Sequence, residues 1–96
     1  MAKLTLDAHI FDGLMADLVG HDRRPSSFVL YLALTRLCAR SGTAAKSLQD
    51  LATASGLSKT AVQRAVRHLA QRKLVQVTRS GAVDIPRYRV LRPWVR

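Results

Sequence analysis

The run from Ser47 to Val66 constrains this chain more than any other stretch, because its punctuation admits few backbone paths. Ser47 with Asp50 three positions on forms a capping-box pattern, in which the hydroxyl accepts a first-turn amide and the carboxylate suits the positive end of a helix. The helix begun there is short, since Ser55-Gly56 stops it, and Gly56 can enter the left-handed region that a tight turn requires. Ser58 then reads as the N-cap of a longer helix reaching about Arg72. Ala52, four residues before the glycine, supplies the small contact needed where two helices cross steeply. Leu51, Leu57, Val62 and Ala65 fill the inner positions, and Val66 and Leu69 continue that face.

The flanks fall into place around this unit. Upstream, Leu6, Ile10, Phe11, Leu14, Met15 and Leu18 recur at threes and fours, which predicts a helix over Leu4–Val19, capped by Asp7 and ended by Gly20. After the polar turn His21-Asp22-Arg23-Arg24, Pro25 and Ser26 open a second helix that runs to about Arg40. It is apolar nearly all round, with Phe28, Leu32 and Thr35 on one side and Leu30, Leu34 and Leu37 on another, so cover is expected from both neighbours. Ser41-Gly42-Thr43 breaks it, and Ala44 to Lys46 reads as a brief extended piece. Beyond Lys73 the period changes: Leu74 to Thr78 and Tyr88 to Leu91 are rich in β-branched and aromatic residues, separated by a segment with Gly81 and Pro86. That pattern predicts a hairpin with a loop longer than a tight turn. The fold class is therefore mainly α with a small β hairpin. Ninety-six residues suffice for a single domain, divided into an N-terminal helical segment (1–20), a three-helix core (25–72) and the hairpin (74–92).

Charge narrows the choice of partner. Sixteen Lys and Arg stand against 6 Asp and Glu, a formal net charge of +10. Such an excess strains the compact state by self-repulsion, and a phosphate backbone that releases its counterions on binding relieves it. Membrane headgroups are the competing anion, but no stretch nears the ~20 apolar residues of a spanning helix. Met1 to Ile10 also has neither a basic n-region nor an apolar h-region, so no membrane role and a cytoplasmic location are expected. The lone Cys38 sits in the apolar run Phe28 to Cys38 and reads as a small buried hydrophobe. His9, His21 and His68 are scattered without ligand spacing, so no metal is expected, and the glycines are isolated rather than gathered in a phosphate loop. With no nucleophile beside a base and no carboxylate pair, neither an enzyme nor a cofactor is expected.

The phrase Leu51 to Leu57 followed by Ser58-Lys59-Thr60-Ala61-Val62, then Leu69 and Leu74-Val75, resembles the winged helix-turn-helix superfamily. It is similar in particular to small bacterial regulators and to the winged domains of plasmid and phage replication initiators, and the resemblance covers about Phe28 to Leu91. It implies a three-helix core plus wing with an extra N-terminal helix, double-stranded DNA as partner, and the helix from Ser58 to Arg72 in the major groove. The residues agree with that implication. Thr60, Gln63, Arg64, Arg67 and Gln71 point away from Val62, Val66 and Leu69, and Lys59 lies at the exposed N-terminal flank. Gln63 suits an adenine edge and Arg64 a guanine edge, while Ser58, Lys59, Thr60 and the helix N-terminus suit phosphates. A merely solvated face would mix signs, yet Ser58 to Leu74 contains no acid.

Arg79, Arg87, Arg89 and Arg92 gather on the hairpin and its exit, placed for a minor groove or flanking backbone. Ser80 and Gly81 at the expected tip are small enough for close approach, and Asp84 is the sole acid there. For Arg89 and Arg92, guarding a sheet edge against aggregation is the competing explanation. Tyr88 and Trp94 are expected in the core. The function expected is sequence-specific DNA binding, as a transcription regulator. The alternatives are a replication or partition accessory of a plasmid or phage and a winged module that binds RNA or a larger assembly. A homodimer through the N-terminal helices is expected, and the sequence names no small-molecule effector.

Overall fold

A computed structural model describes residues 3–81 and 85–95. Three α-helices, α1 (Pro25–Cys38), α2 (Leu48–Ser55) and α3 (Lys59–Gln71), are accompanied by three short strands, β1 (Thr43–Ala45), β2 (Val75–Thr78) and β3 (Arg87–Val90). Ahead of them lies an N-terminal helical segment in two pieces, Ile10–Leu14 and Ala16–His21.

Local chemistry accounts for the helix boundaries. Pro25 begins α1 at the position where a missing N–H costs nothing. At Ser47 the capping box is closed in both directions: the hydroxyl accepts from Asp50 N–H at 3.1 Å, and the Asp50 carboxylate accepts from Ser47 N–H at 3.0 Å. Gly56 ends α2 with φ 77°, and its N–H returns to the Ala52 carbonyl. Alanine at that position would have to hold a left-handed backbone, a cost of about 1–2 kcal/mol. Gly56→Ala is therefore expected to lower the thermal midpoint by roughly 4–8 °C per kcal/mol, which a melt followed by circular dichroism would read.

One core serves all the elements. Ile10, Leu14 and Leu18 of the N-terminal segment meet Phe28, Leu30, Tyr31 and Leu34 of α1, Leu51 of α2, and Val62, Ala65 and Leu69 of α3. Leu74, Val75 and Tyr88 close it from the sheet side. Each fully buried leucine contributes about 1.5–3 kcal/mol through its removal from water. Tyr31 satisfies its hydroxyl by donating to the Leu91 carbonyl at 2.9 Å, and burial pushes its pKa up to about 12. Cys38 is buried, as its apolar neighbourhood predicts, with its thiol 3.5 Å from the Tyr88 carbonyl.

Four features differ from the sequence-based expectation. The N-terminal helix starts at Ile10 rather than Leu4, because the Asp7 carboxylate is held outside it: one oxygen accepts from His9 N–H and the other from Trp94 Nε1 at 3.0 Å. Leu6 packs against the core from an irregular segment instead of a first helical turn. The turns of this segment are also wide, with i→i+5 bonds from Met15 N–H to the Ile10 carbonyl and from Asp22 N–H to the Asp17 carbonyl. The hairpin is part of a three-stranded antiparallel sheet of order β1-β3-β2. Ala44 lies opposite Tyr88, and Val77 lies opposite Tyr88 from the other side. The piece expected around Ala44 thus pairs with a strand more than forty residues away. Helix α1 ends at Cys38, two residues short of the expected boundary. The tip of the hairpin, including Asp84, lies partly outside the described residues.

Candidate nucleic-acid interface

Helix α3 is amphipathic in a way that divides core from outer face. Val62, Ala65 and Leu69 are buried, whereas Lys59, Thr60, Gln63, Arg64, Arg67 and Gln71 are exposed. The exposed set advances by threes and fours, so these side chains form one stripe along the helix. Ser58, also exposed, caps the helix by accepting from Ala61 N–H at 3.1 Å. The first turn carries Lys59 and Thr60 and no acid. Such an end carries a partial positive charge and favours an anion.

The sheet supplies a second basic surface. Strand alternation turns Tyr88 into the core and Arg87 and Arg89 outward. Their cross-strand neighbours are Thr78 and Gln76 on β2 and Ala45 and Thr43 on β1, so no carboxylate faces them in register. Arg87 is partly engaged, donating to Thr43 Oγ1 at 3.2 Å. Arg79, after β2, and Arg92, beyond β3, are exposed. All ten residues singled out from the sequence therefore lie on the surface: Ser58, Lys59, Thr60, Gln63, Arg64, Arg67 and Gln71 on α3 and its cap, and Arg79, Arg87 and Arg89 on the hairpin.

Two groups of residues escaped the sequence reading. The first is Arg23 and Arg24, which line concavities together with Arg64, Arg67 and Gln71 of α3. They directly precede Pro25 as a pair, and only the fold brings them beside a helix forty residues later. The second is a polar cluster centred on Asp22, which joins the N-terminal segment to α3. One Asp22 oxygen pairs with His21 Nδ1 at 2.9 Å. The other receives His68 Nε2 at 2.9 Å and Arg72 Nε at 3.1 Å. His68 Nδ1 lies 2.8 Å from the buried Ser27 Oγ, which fixes the imidazole at both ends. Because Asp22 and His68 are 46 positions apart, no local pattern marked them.

The hydrogen bond from His21 holds the Asp22 carboxyl below its ordinary value of 3.8. Burial opposes this, while His68 and Arg72 reinforce it. A carboxylate with a depressed native pKa contributes stability that is fully present above the unfolded value and is lost as pH falls through the native one. Urea midpoints are therefore expected to drop below about pH 4. Asp22→Asn should be less stable at neutral pH and lose less on acidification, and parallel slopes for the two proteins would exclude this role.

Among the described residues, no helix is long and apolar enough to cross a membrane. No group of three or more His, Cys, Asp or Glu among them is placed to hold a metal ion.

The family model described as MarR family matches residues 31–83, more than half of the chain, from the middle of α1 into the hairpin. The chain is also similar to the crystal structure of AntR, an antimony-specific transcriptional repressor, at 26% identity and a TM-score of 0.53. That similarity covers 98% of this chain and 76% of the AntR chain. No curated protein sequence matches. A helix-turn-helix with an acid-free outer face, a small antiparallel sheet beside it and a family match that covers the helix-turn-helix and reaches past β2 lead to one conclusion: the chain belongs to the MarR family of winged-helix, DNA-binding transcription regulators.

Proposed function

We propose that this regulator reads duplex DNA with α3 in the major groove and the β2–β3 hairpin on the minor groove or flanking backbone. The observation that carries this reading is the outer stripe of α3, exposed along its length and without a single acid. In it, Gln63 and Arg64 meet base edges, Ser58, Lys59 and Thr60 hold a phosphate at the helix N-terminus, and Arg67 and Gln71 continue along the groove. Arg79, Arg87 and Arg89 supply the wing contacts. The likeness to a repressor supports repression as the mode of regulation, exercised in the cytoplasm.

A homodimer through the N-terminal helical segments completes the proposal. Phe11, Met15 and Val19 recur every four residues along that segment and are 45%, 40% and 40% exposed, an apolar stripe that a second copy would cover. Pairing would present two α3 helices to half-sites roughly one helical turn apart. The antimony in the name of the similar repressor is not carried over to this chain. Soft metals and metalloids call for clustered thiolates, and the single cysteine here is buried.

Selection of bound duplexes from a random pool tests the reading as a whole. A motif of two related half-sites is expected, whereas enrichment of no duplex, or of structured RNA in a parallel selection, would refute it. On the selected duplex, Lys59→Ala is expected to weaken binding uniformly and to reduce the slope of log affinity against log salt by about 1.

A further inference from the structure

The turn between the N-terminal segment and α1 stands against the recognition helix. Arg24 shares a concavity of about 360 Å³ with Arg64, Arg67, His68 and Gln71 of α3, so guanidiniums from two separate elements converge on one space. Arg23 and Arg24 line a second, smaller one beside it with Arg64. Among the described residues, no carboxylate pairs with Arg24, Arg64 or Arg67. Asp22, the acid closest in sequence, has both oxygens occupied by His21, His68 and Arg72. It positions the turn and does not neutralise the arginines.

The backbone of this turn is pinned as well. Arg24 N–H donates to the Leu18 carbonyl at 2.7 Å, and Ser27 N–H donates to the Arg24 carbonyl at 3.0 Å. Arg23 holds φ 55°, a left-handed conformation that glycine would adopt with less strain, yet an arginine occupies it. Two uncompensated guanidiniums that line one concavity, one of them carried on a pinned turn, suit the tetrahedral oxygens of a phosphodiester.

We propose that Arg24 joins Arg67 to seat one backbone phosphate of the bound duplex, making the turn before α1 a third DNA-contacting element beside α3 and the hairpin. Arg64 walls the seat and reaches past it to the bases. The Asp22–His68 contact sets the distance between turn and helix, so the phosphate seat and the base-reading side chains are held as one rigid unit. This inference rests on the placement of α3 in the major groove.

The test uses the full chain, the selected duplex and a scrambled duplex of equal length in anisotropy titrations across a salt series. Arg24→Gln is expected to weaken both duplexes by a similar factor, about threefold to tenfold, and to lower the salt slope by about 1, as loss of a single phosphate contact requires. Ethylation interference should mark one phosphate for the wild type that Arg24→Gln no longer marks. The variant should melt with the wild type, since the Arg24 side chain makes no hydrogen bond or ion pair among the described residues. An unchanged slope and affinity for Arg24→Gln, while Lys59→Ala loses both, would overturn the seat and leave the placement of α3 standing. A loss confined to the selected duplex would also overturn it, because phosphate contacts carry no sequence information. If the wild type itself showed no salt-dependent duplex binding, the seat and the parent reading would fall together.

Discussion

Replacing Arg64 with alanine is expected to cost about 1–3 kcal/mol of discrimination at one guanine-bearing base pair of the selected site, that is, roughly five- to 150-fold. The fold should survive the change, since the side chain is exposed and has no ion-pair partner among the described residues. A bidentate arginine contact to guanine combines charge with fixed geometry, so its removal should flatten preference at that position and leave the other positions as they were. Affinity for unrelated duplexes should fall much less, because the phosphate contacts from Lys59 and Thr60 remain. Binding of each single-base variant of the selected duplex by wild type and Arg64→Ala would measure this. Equal losses on all duplexes would reassign Arg64 to the backbone.

Leu69→Ala is expected to have the largest effect on stability, about 2–5 kcal/mol. Leu69 is fully buried on the inner face of α3, within the cluster that holds α1, α2 and the sheet together. Truncation removes its transfer energy and leaves a cavity that the rest of the core can fill only in part. The loss is a large fraction of what a domain of this size has in reserve. DNA binding should weaken in parallel, since the same helix carries the candidate reading residues, and low temperature should restore both together. A change below about 1 kcal/mol in urea titrations would show that this core does not bind the elements in the way described.

What the sequence reveals and what it hides divide along the range of the interactions involved. The α2–turn–α3 unit is legible because each boundary is set by neighbours: Asp50 beside Ser47, Gly56 at a left-handed turn, Ser58 bonding Ala61. The stripe from Thr60 to Gln71 is legible for the same reason, as helical periodicity separates it from Val62, Ala65 and Leu69. Pairing of β1 with β3 is not legible, because three residues around Ala44 carry too little pattern to name a partner across the chain. Nor is the start of the N-terminal segment. The apolar spacing from Leu6 onward suits a regular helix, but Trp94, 87 positions away, holds Asp7 outside it. His9 stacks on the same indole with ring centroids 4.6 Å apart, and a side chain at Gly13 would collide with that imidazole. The link from Asp22 to His68, and with it the approach of Arg24 to α3, likewise depends on residues that meet only after folding.

A 7-deazaguanine scan of the selected duplex, repeated with Arg64→Ala, tests the placement of α3 most directly, since the replacement deletes one major-groove acceptor and leaves base pairing and phosphates intact. For the wild type, affinity should fall by about fivefold or more at one guanine per half-site, and with Arg64→Ala that same position should become silent. Insensitivity of the wild type at every guanine, or a sensitive position that Arg64→Ala leaves unchanged, would contradict the account.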